Sequence, residues 1–558
     1  MMLACGKRIP ASEHAVSLSL PTLRDVIGYE EKSETVFRHV CSGYPRFVRH
    51  WTVERVQSLL QERFGCAGPV VALHEPAACA RLMDFLQRDL KVLDGLPFGA
   101  VELPAGDAGL MAEAQRFQQH TGLMLSSRQA EDWLVDADYR LQTADCRLQT
   151  EDRRLKTEDE RLKTEDGRRK TEDPASGVGC RASSPLPECP TPNQAPSTKH
   201  QAPRTKNQAP STCFAEAVRG CLAGLYGVPE GDVGLYPSGM NAYFSVFEAI
   251  NQLQRERGRE QWLQVGWLYL DTTAILDRFA TRKHLHFHAA AADAIEDYIT
   301  GHHAEIAGIT TEVMTNPLLQ TPDLVRLSAV ARRFNLPLIV DISMPTPVNV
   351  DVFPYADIVI ESLTKFASGH ADVMGGAAVF NPHSEWGQCL RAAVPDGSPY
   401  GRDLQRLAHS IQGYAARMAV INANAAALTD YFRRSRAVRN VYWAGQPGSA
   451  ATYAALRRPG GGDGGVVSVV FAKPLETVYD RLDLLKGPSF GTEFTLCMAY
   501  VYMAHYDLVT TPGGRERLRH EGIDPELLRI SVGMEPIDDL IRAFEKAYNF
   551  NKPCSRGR

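Results

Sequence analysis

Apolar positions follow two different spacings along residues 214–400, and the alternation between them predicts the order of strands and helices. Short apolar runs, such as those at 338–340 and 358–360, are typical of buried strands. Between such runs, apolar residues recur at helical spacing, as they do over 242–253. Strands that alternate with helices form a mostly parallel sheet with helices on both faces. The pattern therefore predicts an α/β fold with a large domain at 214–400.

The pattern changes after this domain. An Ala-rich segment at 407–432 has amphipathic helical spacing and is followed by the apolar runs VVSVVFA and LLRISVG. These features predict one long helix within a smaller C-terminal α/β domain at 401–550, followed by a tail at 551–558. Residues 1–135 mix helical spacing with short apolar runs such as PVVAL, which indicates a small ordered α/β segment at the N-terminus.

Residues 136–213 interrupt this order with two sets of seven-residue repeats. The units at 139–173, such as RRLKTED, offer at most one leucine each, whereas a stable coiled coil needs two apolar positions per heptad. The units at 193–213, such as NQAPSTK, each contain a proline, which excludes a helix interior. We therefore interpret 136–213 as a low-complexity insertion that is disordered and has no chemical role.

Composition and net charge disfavour several classes of protein function. The net charge of −5 gives no reason to expect a nucleic-acid partner. The chain has no run of 18 apolar residues and no sustained apolar signal region at its N-terminus, so we expect a cytosolic protein that does not span a membrane. The 12 cysteines are scattered without a CxxC pair, which predicts free thiols rather than a metal site or a disulfide framework.

Candidate chemistry lies where the predicted strands end. The apolar run at 358–360 leads to Lys365, and partial burial at the carboxyl end of a strand would favour the neutral, nucleophilic amine. Asp341 follows another apolar run, and a carboxylate there suits the pyridinium nitrogen of pyridoxal phosphate. Gly239 precedes an amphipathic helix whose N-terminus could hold a phosphate. From the spacing alone, a surface lysine in a polar turn remains the simpler interpretation of Lys365.

Several motifs favour a functional role for Lys365 over a surface position, because together they resemble one known enzyme family. They are PSGMNA (237–242), YLDT (269–272), TEVMTNPLLQTPDL (311–324), VDISMPTPVN (340–349), ESLTKFASGHADVMGG (361–376), GPSFGTEFTL (487–496) and LLRISVGMEPIDDL (527–540). The chain resembles the pyridoxal-phosphate enzymes of cysteine and methionine metabolism, and among them the fungal type of cystathionine gamma-synthase. That type also has counterparts of the segments at 15–30, 43–47 and 119–131. The resemblance covers nearly the whole chain outside 136–213 and implies an aspartate-aminotransferase-like fold.

The resemblance also implies roles for individual residues. Lys365 would form the Schiff base with pyridoxal phosphate, Asp341 would pair with the ring nitrogen, and Tyr269 would stack on the ring and assist proton transfer. The other implied cofactor-binding residues are Gly239, Met240, Ser362 and Thr364 at the phosphate, and Asn316 and Ser343 near the 3-oxygen of the ring. The family usually has threonine in place of Ser343. Arg529 would bind the substrate carboxylate, and Ser489 would lie beside the lysine and the substrate.

The implied reaction is a γ-replacement that forms cystathionine from an O-acylhomoserine and cysteine. Lys365, Asp341 and Arg529 are common to the relatives that catalyse other reactions, so a cystathionine or methionine lyase or an O-acylhomoserine sulfhydrylase remains the alternative. A non-catalytic scaffold is a third interpretation, which the retained cofactor-facing residue types disfavour.

The resemblance bears on assembly as well. Members of the family build each active site from two subunits and pair dimers into tetramers, so we expect a homodimer or homotetramer that acts on small amino-acid substrates. A tyrosine and an arginine near the N-terminus of each subunit reach the cofactor phosphate of its neighbour. Tyr44 and Arg46 match this pair and Arg128 is a rival, while packing and surface roles explain Tyr44 and Arg46 equally well.

Overall fold

The structure, a computed structural model, describes residues 3–40, 43–137 and 211–549. Of these, residues 3–40, 43–131 and 211–549 belong to one compact unit. The predicted repeats lie outside the described residues except at 211–213, which belong to a helix, and the predicted tail at 551–558 lies outside them as well.

The N-terminal segment contains two small antiparallel sheets. Strands β1 (Arg8–Ile9) and β2 (Ser17–Leu18) form a ribbon. Strands β3 (Val70–Leu73), β4 (Lys91–Val92) and β5 (Gly99–Glu102) form a sheet in the order β3-β5-β4. The helices of this segment include Leu23–Glu30, Glu34–Phe37, Trp51–Arg63, Ala78–Leu86 and Ala108–Thr121, and residues 127–137 are helical as well. The segment is thus an ordered α/β arrangement, as its sequence pattern predicts.

A seven-stranded sheet forms the centre of the molecule. Its strands are β6 (Val233–Tyr236), β7 (Gln261–Val265), β8 (Leu285–Phe287), β9 (Ile306–Glu312), β10 (Leu338–Asp341), β11 (Ile358–Glu361) and β12 (Gly376–Phe380). They lie in the order β6-β12-β11-β10-β9-β7-β8. Strands β8, β7, β9, β10 and β11 run parallel side by side, whereas β12 is antiparallel to both of its neighbours. The predicted mostly parallel sheet is therefore confirmed.

Helices cover both faces of this sheet. They are Ser211–Tyr226, Gly239–Arg255, Leu270–Phe279, Ala292–His302, Leu324–Arg333, Glu385–Ala393 and Gly401–Ser410. Neighbouring residues of β10 join different hydrophobic cores, with Ile339 in one and Val340 in the other. Such alternation follows from the two-residue repeat of a strand and leaves the strand apolar on both sides.

A five-stranded sheet forms the smaller C-terminal part. Its strands are β13 (Val438–Tyr442), β14 (Val466–Phe471), β15 (Leu485–Lys486), β16 (Leu496–Ala499) and β17 (Leu527–Ser531), in the order β13-β14-β17-β16-β15. The helices here are Tyr414–Arg434, Ala450–Ala454, Leu475–Tyr479, Tyr500–Ala504, Tyr506–Thr510, Pro512–His520 and Ile537–Tyr548. The second, smaller α/β sheet expected from the sequence is thus present.

The long helix predicted at 407–432 is divided into two helices. One ends at Ser410, a 3-10 turn covers Ile411–Gly413, and the next helix begins at Tyr414. Gly413 lies at the junction, and glycine is about 1 kcal/mol less favourable than alanine inside a helix. The Ser410 hydroxyl donates to the carbonyl oxygen of Arg406, the kind of local bond that accompanies helix bends.

The following findings on membrane spans, metal sites and cysteines concern the described residues only. No helix there is long and apolar enough to cross a membrane. No group of three or more histidine, cysteine, aspartate or glutamate side chains there is placed to hold a metal ion. The cysteines at 5, 66, 79, 213, 221, 389 and 497 carry free thiols.

The insertion can be removed with little expected effect on folding. Replacing residues 138–210 by a Gly/Ser linker about a quarter as long should raise the free energy of unfolding by only ~1 kcal/mol, because the entropy of closing a loop depends weakly on its length. Chemical denaturation of both proteins, with cofactor content measured in parallel, checks this. A shortened protein that fails to fold would show that the segment has a structural role.

Candidate active site

Lys365 lies in a cavity at the carboxyl end of the parallel strands. Strand β11 ends at Glu361, and Lys365 lies in the turn that follows. This lysine is buried, with 8% of its surface exposed. Its Nζ donates to the hydroxyl of Ser489 at 2.8 Å and lies 4.6 Å and 4.9 Å from the ring centres of Tyr44 and Phe490. The cavity around it has a volume of about 60 Å³. A carboxyl-end site of this kind is where open α/β sheets bind their ligands.

The surroundings of Lys365 favour its neutral form. Burial lowers the pKa of the amine, and the nearby cations Arg46 and Arg529 lower it further, while Tyr44 acts in the opposite direction. A neutral amine has a free electron pair and can act as a nucleophile or a base. The structure therefore contradicts the surface-lysine interpretation, because Lys365 is buried.

Asp341 ends the neighbouring strand β10 and also lines the cavity. Burial raises the pKa of its carboxyl from the usual 3.8 to about 6, although the backbone N–H of Ser343 donates to it at 2.7 Å. The Ser343 hydroxyl in turn accepts from the backbone N–H of Ser362 at 2.7 Å. Ser343 thereby joins the ends of β10 and β11 and holds Asp341 in place.

Glu312 is a cavity residue that the sequence analysis missed. It ends strand β9, stands beside Asp341 in the parallel register, and accepts the backbone N–H of Tyr269 at 2.6 Å. Burial and the Asp341 charge raise the pKa of its carboxyl well above its ordinary value. The signal that could have found it is an acid at the end of an apolar strand, the same signal that pointed to Asp341.

The helix Gly239–Arg255 begins at the edge of the cavity. The Ser238 hydroxyl caps it by accepting from the backbone N–H of Asn241 at 3.1 Å, and Gly239 and Met240 line the cavity beside Ser362. A Cβ atom at Gly239 would come within 2.9 Å of the Ser362 Cβ, so only glycine lets the helix begin this close. First-turn N–H groups and the helix dipole make such a place suitable for a phosphate.

Thr364 is the predicted phosphate-binding residue that does not line the cavity. It is buried, and its hydroxyl accepts the backbone N–H of Gly375 at 3.1 Å. The hydroxyl also donates to the carbonyl oxygen of Gly375 at 3.3 Å, so a phosphate would have to compete for its hydrogen. The predicted contact of Thr364 with a phosphate therefore stays a prediction.

Arg529 on β17 is a buried cation whose hydrogen-bond acceptors among the described residues are neutral. It donates to the side-chain oxygen of Asn316 at 3.1 Å, to the carbonyl oxygen of Ser489 at 2.9 Å and to the sulfur of Met498 at 3.0 Å. Its guanidinium carbon lies near the rings of two aromatic side chains, 5.1 Å from the ring centre of Phe490 and 4.9 Å from that of Tyr500. Burial lowers its pKa to about 10. A buried charge that lacks a counter-charge favours binding of an anion.

Ser489 connects this arginine to the lysine. Its backbone has a φ of +86°, which is uncommon for a residue with a side chain. In this conformation its hydroxyl reaches Lys365 and its carbonyl reaches Arg529. The structure thus brings the predicted residues of the C-terminal sheet to those of the parallel sheet.

Arg46 reaches the cavity and Arg128 does not. Arg46 donates to the Asp271 carboxylate at 2.5 Å and to the Tyr269 hydroxyl at 2.6 Å, and it lines the same cavity as Lys365. Arg128 donates to the Asp403 carboxylate at 2.9 Å and lines another cavity. Of the two arginines proposed from the sequence, Arg46 is the one next to the lysine.

Asp341→Asn should raise the melting temperature of the cofactor-free protein at pH 7.5 and leave it nearly unchanged at pH 4. The pKa of the Asp341 carboxyl is about 6 in the folded state and near 3.8 in the unfolded state. At a pH between these two values, the carboxyl therefore takes up a proton when the chain folds. The charged carboxylate therefore destabilises the folded state increasingly from pH 4 to pH 6 and fully above it. Differential scanning calorimetry across this range checks the prediction, and an asparagine variant that is less stable at pH 7.5 contradicts it.

Comparison with known proteins agrees with this geometry. Residues 205–549, more than half of the chain, match the family model described as Cys/Met metabolism PLP-dependent enzyme. An L-2-amino-4-chloropent-4-enoate dechlorinase/desaturase from Streptantibioticus cattleyicolor is 35% identical over 97% of both chains. A cystathionine gamma-synthase from Neurospora crassa is 30% identical over 97% of both chains. The crystal structure of a cystathionine gamma-synthase from Xanthomonas oryzae pv. oryzae has a TM-score of 0.52 at 21% identity, over 63% of this chain and 89% of that one, and shares the fold.

The cavity fits the cofactor of that family. The Lys365 amine suits its aldehyde, the Asp341 carboxyl at a strand end suits its ring nitrogen, and the helix start at Gly239, which a Cβ atom would obstruct, suits its phosphate. On the match of its sequence and the fit of this site, the chain belongs to the pyridoxal-phosphate-dependent enzymes of cysteine and methionine metabolism.

Proposed function

We propose that the enzyme replaces the γ-substituent of an O-acylhomoserine with the thiol of cysteine and so forms cystathionine. The observation that carries the proposal is the position of Arg529, a buried cation without a counter-charge, next to Ser489 and through it to Lys365. That arrangement fits an α-amino acid held by its carboxylate with its amino group and Cα near the lysine. Similarity to the Neurospora crassa synthase over 97% of both chains supports the choice of reaction.

The cofactor would be held from three sides. Gly239 and Met240 at the helix start, with Ser362 and Thr364, would hold the phosphate, while Asp341 would keep the ring nitrogen protonated. Tyr269, Asn316 and Ser343 would contact the ring. When bound, pyridoxal phosphate supplies a ring that accepts the electron pair left when a bond at the substrate Cα breaks.

Arg529 would orient the substrate. Its planar guanidinium can donate two parallel hydrogen bonds to a carboxylate, which fixes position as well as charge. The aromatic rings of Phe490 and Tyr500 pack near the guanidinium, and its burial keeps water away from it. A carboxylate bound there would meet a cation that is poorly solvated and therefore attracts it strongly.

Lys365 would move the protons. Its neutral amine can take the proton from the substrate Cα, and as an ammonium it can return a proton to another carbon of the same substrate. The Ser489 hydroxyl, which accepts from the amine at 2.8 Å, holds the lysine near the carboxylate site. Departure of the γ-substituent requires a second proton removed at Cβ, and the same amine, which Ser489 connects to Arg529, would take it.

A second candidate is loss of a γ-substituent without addition of a thiol. The observation that favours it is the 35% identity, over 97% of both chains, with a protein named for dechlorination and desaturation of L-2-amino-4-chloropent-4-enoate. That name places the chlorine on C4, the γ carbon of the amino acid. Both candidates use the same lysine, aspartate and arginine, and they differ in whether a thiol enters.

Assays with defined substrates separate the candidates. Purified enzyme should convert O-acetyl-, O-succinyl- or O-phosphohomoserine with cysteine to cystathionine, measured by mass spectrometry. Formation of homocysteine with sulfide, or of an oxo acid and ammonia without any thiol, would instead identify a sulfhydrylase or a lyase. Chloride release from L-2-amino-4-chloropent-4-enoate at a higher kcat/KM than any of these would establish the second candidate.

A further inference from the structure

Arg529 belongs to a closed ring of contacts that starts at the cavity and returns to it. The ring also contains Asn316, Trp267, His505 and Tyr500. The Arg529 guanidinium donates to the side-chain oxygen of Asn316 at 3.1 Å, and the Asn316 backbone N–H donates to the carbonyl oxygen of Trp267 at 3.2 Å. On the other side, the Tyr500 ring centre lies 4.9 Å from the guanidinium carbon. The two branches meet at His505.

His505 joins the two branches through one ring nitrogen. Its Nε2 accepts from the indole N–H of Trp267 at 3.2 Å and lies 3.4 Å from the Tyr500 hydroxyl. The imidazole also packs edge-on against both aromatic rings, with ring centres 5.2 Å and 5.6 Å away. Because an indole N–H can only donate, Nε2 must be an acceptor. The contact with Trp267 therefore requires a histidine that carries no proton on this nitrogen.

The surroundings of His505 keep it in that form. Burial and the Arg517 guanidinium lower its pKa to about 4, so the ring is neutral near pH 7. Trp267 is buried, and a buried N–H that loses its acceptor destabilises the arrangement around it. His505 is thus a neutral acceptor whose removal would leave the Trp267 indole unsatisfied.

The ring of contacts connects the two sheets. Trp267 follows strand β7 and Asn316 follows strand β9, both at the carboxyl end of the parallel sheet. Tyr500 begins the helix that follows β16, and Arg529 lies on β17 of the C-terminal sheet. The five residues all lie within 211–549, which the structure describes without a gap. Since Asn316 lines the cavity, the ring of contacts links His505 to the place where a substrate would bind.

We propose that His505 is a positioning residue for the substrate carboxylate. By holding Trp267 and Tyr500 in place, it fixes the backbone of Asn316 and the orientation of the Arg529 guanidinium. A guanidinium that is already oriented binds a carboxylate more tightly, because less conformational freedom is lost on binding. The inference rests on the proposed role of Arg529 as the carboxylate site, and it does not depend on which γ-reaction the enzyme catalyses.

Binding of butyrate to the cofactor-free protein tests this role without catalysis. Butyrate offers the carboxylate of a four-carbon amino acid without its amine, and ligand-detected NMR measures its dissociation constant. His505→Phe keeps an aromatic ring but removes the acceptor, so we expect the dissociation constant to rise about three- to tenfold, the effect of one hydrogen bond. His505→Gln offers a side-chain oxygen to the indole N–H and should stay within about twofold of wild type. His409→Phe, at an exposed position of the helix Gly401–Ser410, is the matched control.

Trp267→Phe removes the donor of the same hydrogen bond and should weaken butyrate binding to a similar extent. The double variant Trp267→Phe/His505→Phe should bind no more weakly than the weaker single variant, because it leaves no buried N–H without an acceptor. Additive losses would show that the two residues act independently and would overturn the proposal. Wild-type affinity in His505→Phe overturns it too, and if that variant does not fold, wild-type affinity in Trp267→Phe does so.

Arg529→Leu distinguishes failure of this inference from failure of the proposed function. If Arg529→Leu loses butyrate binding while His505→Phe keeps it, the carboxylate site stands and the positioning role falls. If neither variant changes the affinity, the carboxylate binds elsewhere and both fall.

Steady-state kinetics of the cofactor-loaded enzyme provides a second readout. His505→Phe should raise KM for the amino-acid substrate about three- to tenfold and leave kcat within about twofold, because the carboxylate is held equally in the bound substrate and in the transition state. A lower kcat at unchanged KM would contradict a role in holding the carboxylate.

Discussion

Lys365→Ala is expected to lower turnover by at least about 10²- to 10⁴-fold, the contribution of a positioned acid–base group. The variant loses the nucleophile as well, so the measured loss should lie at or beyond the upper end of this range. Lys365→Arg should be equally inactive, because a guanidinium keeps its charge near neutral pH and provides neither a base nor a nucleophile. Initial rates at saturating substrate check both variants. Lys283→Ala, at an exposed position, is the control for general effects of removing a lysine.

Borohydride treatment of the wild-type enzyme should attach the cofactor covalently to the peptide that contains Lys365. The same treatment of Lys365→Ala should leave the protein unlabelled while its melting temperature stays close to that of the cofactor-free wild type. Labelling at another lysine would move the reacting amine elsewhere. Unchanged cellular function of the Lys365→Ala protein would favour a non-catalytic role.

The residues on the parallel sheet could be predicted because strand ends are readable from the sequence. Asp341 and Lys365 each follow a short apolar run, and the carboxyl ends of parallel strands meet at one edge of a sheet whatever their separation in the chain. Gly239 could be predicted for a related reason, since a glycine at the start of an amphipathic helix allows another group to approach the backbone closely. Glu312 also ends a strand and could have been predicted by the same rule. It lies inside one of the family motifs, and its position at the end of a strand was not recognised.

The remaining site residues depend on packing that spacing does not encode. Arg529 lies on β17 of the other sheet, and the left-handed turn at Ser489 connects it to Lys365. The choice between Arg46 and Arg128 was equally open in the sequence. It depends on how the N-terminal sheet packs on the helix Gly239–Arg255, which is a matter of shape between distant segments rather than of local periodicity.

Arg529→Leu is expected to lower kcat/KM for the amino-acid substrate by roughly 30- to 4,000-fold, which corresponds to ~2–5 kcal/mol for removing one partner of a buried charged pair. Leucine keeps apolar volume beside Phe490 and Tyr500, so the fold and the cofactor content should be retained. Steady-state kinetics, with cofactor absorbance measured on the same samples, checks this. An unchanged KM and kcat would show that the substrate carboxylate binds elsewhere.

Arg529→Lys separates the two functions of the arginine, which are shape and charge. Lysine keeps the positive charge but cannot donate two parallel bonds, so KM should rise as it does for leucine, although by less. The charge also lowers the pKa of Lys365, so removing it in Arg529→Leu should move labelling of the Lys365 amine in the cofactor-free protein to higher pH, while Arg529→Lys should leave it nearly in place. Labelling rates against pH for the three proteins test this. If both variants shifted equally, the effect would come from altered packing around Ser489 rather than from the charge, and Arg529 would then act on Lys365 through the hydrogen bond of that serine.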